Sequence, residues 1–136
     1  MNIFSFVFKS KSNKDYFINE TETFLKNLEK SNDYLKEFEK FKKIVNEYFF
    51  RNYKLKYKFT FEDLKIDLKE SDLNLNSEET NLIENLCDFL NEIEFDLSKI
   101  NYENLKKATE LFLELISYKA KHNNKLVDFK INDNKI

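Results

Sequence analysis

An all-α fold is what this 136-residue sequence predicts, and three observations carry it. Glycine and proline are both absent, so the chain lacks the two residues that usually supply left-handed turns and helix stops. Apolar residues recur at three- and four-residue steps through most of its length, the period of a helix with one buried face. Asparagine, aspartate, serine or threonine stands ahead of these runs, where a side-chain oxygen can accept from the first free backbone amides. The expected arrangement is a long N-terminal helix plus a compact three-helix body, with an extended aromatic strap between them.

Residues 14–52 are the first expected element, with Phe17, Phe24, Leu28, Leu35, Phe38, Phe41, Val45, Tyr48 and Phe49 along one stripe. Uninterrupted, this helix spans about 58 Å at about 1.5 Å per residue. Ser31-Asn32-Asp33 offers the alternative of a break, because those side chains can cap a new helix, and the two halves then close as a hairpin. Residues 53–59, Tyr-Lys-Leu-Lys-Tyr-Lys-Phe, alternate apolar and basic side chains. A period of two predicts extended chain. The same rhythm in Phe4, Phe6 and Phe8 and in Val127, Phe129 and Ile131 leaves open a small sheet of three segments, against separate straps laid over helices.

Residues 60–122 make the expected body. Thr60 predicts the N-cap of a helix to about Glu70, with Asp63 completing a capping box and Phe59 stapled to Leu64. Asn76, with Glu79, opens a helix to about Ile93 whose buried face is Leu82, Ile83, Leu86, Cys87, Phe89, Leu90 and Ile93. Asn101, with Ile100 stapled to Leu105, opens the last helix, to about Lys121. It should bury Leu105, Ala108, Phe112, Leu115 and Ile116, and set Lys119, Lys121 and His122 at its negative end. Residues 123–136 are expected as a tail. Without a fixed-period repeat or a solvating linker, 1–136 is expected to be one domain.

Composition excludes several classes of function. With 41% hydrophobic and 35% charged residues, the chain is too apolar for a disordered polymer and too interrupted by charge for a transmembrane helix. The apolar run of the first eight residues is shorter than a signal peptide's, and its lysines follow where a signal places them before, which predicts a cytoplasmic protein. Lacking glycine, the chain cannot build a Gly-rich phosphate loop, a dinucleotide fingerprint or a nucleophile elbow. Cys87 is the single cysteine, expected as a small core residue in a reducing compartment. His122 is the single histidine and Lys119 stands three before it, so neither di-iron nor zinc spacing exists. Glu110 and Glu114 share a helical face as a solvated pair. The expectation is no enzyme, no metal and no cofactor.

Two surfaces are candidates for partners. The first is the stripe of the long helix, chiefly Phe24, Leu28, Leu35 and Phe38. The last two helices are expected to reach only about 26 and 32 Å, so part of the stripe needs cover from a second copy, another protein's helix or the chain's own folded-back N-terminus. Leaving such side chains in water forgoes about 1.5–3 kcal/mol each. The second surface spans residues 40–58, where Lys40, Lys42, Lys43, Arg51, Lys54, Lys56 and Lys58 interleave with Phe41, Tyr48, Phe49, Tyr53 and Tyr57. Positive charge beside flat rings is what single-stranded nucleic acid engages. The first 60 residues hold 13 Lys/Arg against 8 Asp/Glu, net +5, and the rest hold 10 against 17, net −7. Arg51 is the single arginine among 23 basic residues, so the lysine excess itself reflects coding bias in an AT-rich genome. An anionic membrane surface is a further expectation, through Phe4, Phe6 and Phe8 with Lys9 and Lys11 behind them.

The strap and threonine-capped acidic helix of residues 53–64, followed by Phe89-Leu90-Asn91-Glu92-Ile93-Glu94-Phe95 and a capped last helix, resemble small lysine-rich helical accessory proteins of AT-rich archaea. They are also loosely similar to helical domains that accompany MoxR-type AAA+ ATPases and von Willebrand factor A proteins. The resemblance covers about residues 48–118 and implies a non-enzymatic accessory or adaptor protein, with no catalytic residue to carry over. The first forty residues lie outside it.

Overall fold

Asp33 marks the break in the N-terminal half. Its carboxylate accepts from the Lys36 amide at 3.2 Å and Ser31 Oγ accepts from the Asp33 amide at 3.1 Å, so polar side chains stop one helix and start the next where a glycine would usually do so. The computed structural model describes residues 13–56, 60–71 and 73–135, and of 13–15 and 123–135 it describes the backbone alone. The elements are α1 Asn13–Leu28, α2 Tyr34–Tyr53, α3 Phe61–Glu70, α4 Ser77–Phe95, a short 3-10 turn Leu97–Lys99, and α5 Tyr102–Lys135. The all-α class is as predicted, and no strand occurs among the described residues.

The single long helix over 14–52 is corrected to a hairpin of α1 and α2. The apolar stripe runs on across the break, but folding it back on itself buries it. Phe17 meets Tyr48 with ring centroids 5.2 Å apart, and Phe24 meets Phe41 at 5.2 Å. Phe112 of α5 then stands between the rings of Phe41 at 5.7 Å and Tyr48 at 5.2 Å. Edge-on packing of this kind adds to the area buried.

The later caps are those expected. Thr60 Oγ1 accepts from the Asp63 amide at 3.1 Å, Asn76 Oδ1 from the Glu79 amide at 2.8 Å, and Asn101 Oδ1 from the Asn104 amide at 2.9 Å. Ile83, Leu86, Cys87, Leu90 and Ile93 of α4 are buried, with Leu82 and Phe89 partly so. Leu105, Ala108, Phe112, Leu115 and Ile116 of α5 are buried as predicted.

Two further expectations are corrected. The helix opened by Asn101 runs to Lys135 rather than to about Lys121, so Lys119, Lys121 and His122 are interior to it and not at its negative end. Val127, Phe129 and Ile131 accordingly lie on helical backbone and belong to no strand. Of the strap, Tyr53 closes α2, residues 54–56 follow without regular structure, and Leu55 is buried. Residues 57–59 lie outside the described residues, as do Phe4, Phe6 and Phe8.

α5 packs against α4, α1 and α2, and α3 lies on α4. Side-chain pairings set the direction of each helix. Lys42 meets Glu94 and Phe38 meets Phe61 toward one end, whereas Tyr53, Glu79 and Lys119 meet toward the other. The α1–α2 turn and the α4–α5 turn therefore share one end of the bundle.

Candidate functional site

The predicted partner stripe is largely interior. Phe24, Leu28 and Phe38 are buried in the core of the same chain, which removes the uncovered surface expected of a continuous helix. Leu35, in the first turn of α2, stays 52% exposed.

At the same end of the bundle, Phe95 and Leu97 are each 71% exposed. Of the five large hydrophobic side chains exposed among the described residues, three, Leu35, Phe95 and Leu97, thus stand where the chain makes its α1–α2 and α4–α5 turns. The corner bearing Phe95 and Leu97 is a built turn. Asp96 Oδ1 accepts from the Ser98 hydroxyl at 2.7 Å and from the Ser98 amide at 3.1 Å, and these bonds hold its carboxyl below the usual range. A fixed corner presents its apolar side chains in one geometry.

The predicted basic surface is divided by the fold. Lys42 turns inward and pairs with Glu94 at 2.6 Å, while the other Glu94 oxygen accepts from the Phe61 amide at 2.9 Å. Lys40 lies 3.5 Å from Glu37. Arg51 pairs with Glu47 at 2.8 Å and lies 5.5 Å from the centre of the Tyr16 ring. Lys43 and Lys56 line an open groove of about 600 Å³ with Asn46, Glu47 and Phe50, and Phe50 is 55% exposed. Lys54 adopts a left-handed backbone, φ 58°, and its amide donates to the Phe50 carbonyl at 3.0 Å. That reversal, costly without glycine, leads the chain back so that Lys56 shares the groove with Phe50. Lys58 lies outside the described residues. Among the expected aromatics, Phe41, Tyr48, Phe49 and Tyr53 are core.

A polar cluster joins α2, α4 and α5 at the other end. The Tyr53 hydroxyl donates to Glu79 Oε2, which Lys119 approaches to 3.1 Å. The Lys119 ammonium also lies 4.5 Å from the centre of the Tyr53 ring. Asn76, the α4 cap, accepts from the Tyr118 hydroxyl at 3.0 Å, and His122 stacks on Tyr118 at 4.0 Å. Tyr48 and Tyr53 have their phenols raised well above the usual value, chiefly by burial. Tyr53 and Glu79 are buried, so the cluster ties three helices together. Cys87 is buried too, which pushes its thiol up to about 12 and holds it as the unreactive thiol. Among the described residues no three of His, Cys, Asp and Glu are placed to hold a metal ion, and none of the helices is long and apolar enough to cross a membrane.

The chain matches no protein-family model, no curated protein and no solved structure. The candidate sites therefore rest on geometry. Sequence reasoning passed over Phe50, Phe95 and Leu97. For Phe50 a signal was present, since Lys43, Glu47 and Phe50 fall at i, i+4 and i+7 on one helical face, opposite the core series.

Proposed function

We propose that this protein is a non-enzymatic helical interaction protein that associates with a second copy of itself through the apolar end of its bundle. The observation that supports this reading is the exposure of Phe95 and Leu97 on one fixed corner, at the end that also bears Leu35. Large apolar side chains gain about 1.5–3 kcal/mol each when fully withdrawn from water, and a two-fold contact withdraws the same residues of both copies. Asp96 and Lys99 flank Leu97 with opposite charges, so like-charge repulsion does not oppose the approach. Three side chains fall short of the roughly 800 Å² per partner of a stable interface, so the association is weak and reversible. Of the stripe first expected to bind a partner, Leu35 stays in this reading, and Phe24, Leu28 and Phe38 leave it. An accessory role, of the kind the archaeal resemblance implies, fits a protein that acts by contact.

Sedimentation equilibrium from about 1 µM to about 1 mM tests it. The mean mass should climb from 16.6 kDa toward twice that value, and a Phe95→Asp, Leu97→Asp variant should remain at the monomer mass throughout. A native chain that keeps the monomer mass at the highest concentration, or a double variant that associates equally, overturns the proposal.

A further inference from the structure

On a different face from that corner, we infer that the groove between the outer side of α2 and the chain that follows it is a binding site for single-stranded nucleic acid. Its floor and walls are Lys43, Asn46, Glu47, Phe50 and Lys56. Phe50 is the decisive member. It is a flat ring left 55% exposed on a helix whose neighbouring rings, Tyr48 and Phe49, are buried. A nucleobase stacks on such a ring whatever its identity. Lys43 stands two helical turns before Phe50 on the same face, and Lys56 reaches the groove from beyond the Lys54 reversal. Two lysines that line the groove together with a ring supply charge for the phosphates that flank a stacked base.

The acid in the groove does not cancel this charge. Glu47 is already paired with Arg51 at 2.8 Å, which leaves Lys43 and Lys56 to set the local sign. A volume of about 600 Å³ falls within the roughly 300–1,000 Å³ of sites that take small organic groups. The openness of the groove lets a strand enter and leave along it, whereas a duplex cannot offer an unstacked base to Phe50. The contact reads no sequence, since Asn46, the lining amide able to pair with a base edge, is buried and its Nδ2 donates to the Lys42 carbonyl at 3.1 Å.

Fluorescence anisotropy with a labelled oligothymidylate of about twelve nucleotides, titrated with the full chain between about 50 and 200 mM salt, tests the assignment. Binding in the micromolar range at the lower salt is expected, weakening as salt rises. Phe50→Ala should lower affinity about ten-fold and leave the salt slope unchanged, because it removes stacking alone. Lys43→Gln with Lys56→Gln should flatten the slope by about 1.4, at about 0.7 per phosphate contact on a single strand. A Lys106→Gln, Lys107→Gln variant on α5 should bind as the native chain does. Phe50 and both groove lysines stand at the surface, and far-UV circular dichroism of each variant checks that the fold is kept. No binding at low salt, equal binding to the duplex, binding that Phe50→Ala leaves intact, or retention on phosphatidylserine vesicles in place of the oligonucleotide would each overturn the inference.

Discussion

The two ends of this bundle are finished in opposite ways. At the end where α2 stops and α4 starts, a buried carboxylate, Glu79, is held by the Tyr53 hydroxyl and the Lys119 ammonium, which lies over the Tyr53 ring. At the end where α1 turns into α2 and α4 into α5, Leu35, Phe95 and Leu97 face water. Burying charge is expensive unless every partner is present, and exposing apolar area forgoes the hydrophobic gain. One end therefore spends its side chains on fixing how three helices meet, and the other, although Lys42 and Glu94 pair inside it at 2.6 Å, also keeps side chains that only a partner can satisfy. The contrast locates the capacity for external contact in the second.

Breaking the closed end should have the largest effect. Glu79→Ala leaves the Tyr53 hydroxyl and the Lys119 ammonium without their shared acceptor, and removing one member of a buried pair costs about 3–5 kcal/mol. The lower figure, about 3 kcal/mol, is expected here because the long Lys119 stem can carry its charge toward solvent. Urea unfolding followed by circular dichroism measures it. A loss below about 1 kcal/mol would mean that the cluster stays hydrated in the folded protein.

Tyr48 sharpens the same point from the other side. Its hydroxyl is buried and makes no hydrogen bond of good geometry, so Tyr48→Phe removes a desolvated polar group while keeping the ring that packs on Phe17 and Phe112. Stability should hold or rise by up to about 1 kcal/mol. The same substitution has a pH signature. Burial raises the proton affinity of Tyr48, Tyr53 and Cys87 in the folded chain. Below about pH 8 both states hold these protons and pH has no leverage through them. As pH climbs past the unfolded values, from about 8.5 for the thiol to about 10 for the phenols, the unfolded chain releases protons that the folded chain keeps, and stability falls. The decline is about 1.4 kcal/mol per pH unit for each group. Urea titrations between pH 8 and pH 11 should show a slope that Tyr48→Phe makes shallower by one such step, and an unchanged slope would refute the burial of its hydroxyl.

Legibility in the sequence followed the range of the interaction. Thr60, Asn76 and Asn101 were readable as caps because a cap joins residues three apart. Asp33 caps by the same chemistry, yet the stripe of Phe24, Leu28, Phe38 and Phe41 continues across it, and only packing against α5 selects the hairpin. Lys42 and Lys43 are adjacent and alike in sequence, but Glu94, on another helix, draws one inward and leaves the other to the groove. The helical period sets Lys42 beside Phe38 and Phe49 and Lys43 on the opposite face, but it does not show the partner that draws Lys42 inward. Val127, Phe129 and Ile131 show the converse failure, where a two-residue rhythm sits on helical backbone. Phe50 could have been seen from its place on the Lys43 face, whereas the exposure of Phe95 and Leu97 depends on where the α4–α5 corner points.

The smallest expected effect is at the open end. Phe95→Ser with Leu97→Ser removes two large apolar side chains, a change that costs several kcal/mol in a core. Here both are already 71% exposed, so little transfer free energy remains to be lost, and the Asp96–Ser98 bonds that shape the corner involve neither side chain. Monomer stability, measured by urea unfolding at about 1 µM protein, where self-association is dilute, should stay within about 0.5 kcal/mol of the native chain. At about 1 mM the native chain should gain stability from association while the double variant does not. A loss of 2 kcal/mol or more at about 1 µM would show that Phe95 or Leu97 supports the fold, and the two ends would then differ in composition without differing in role.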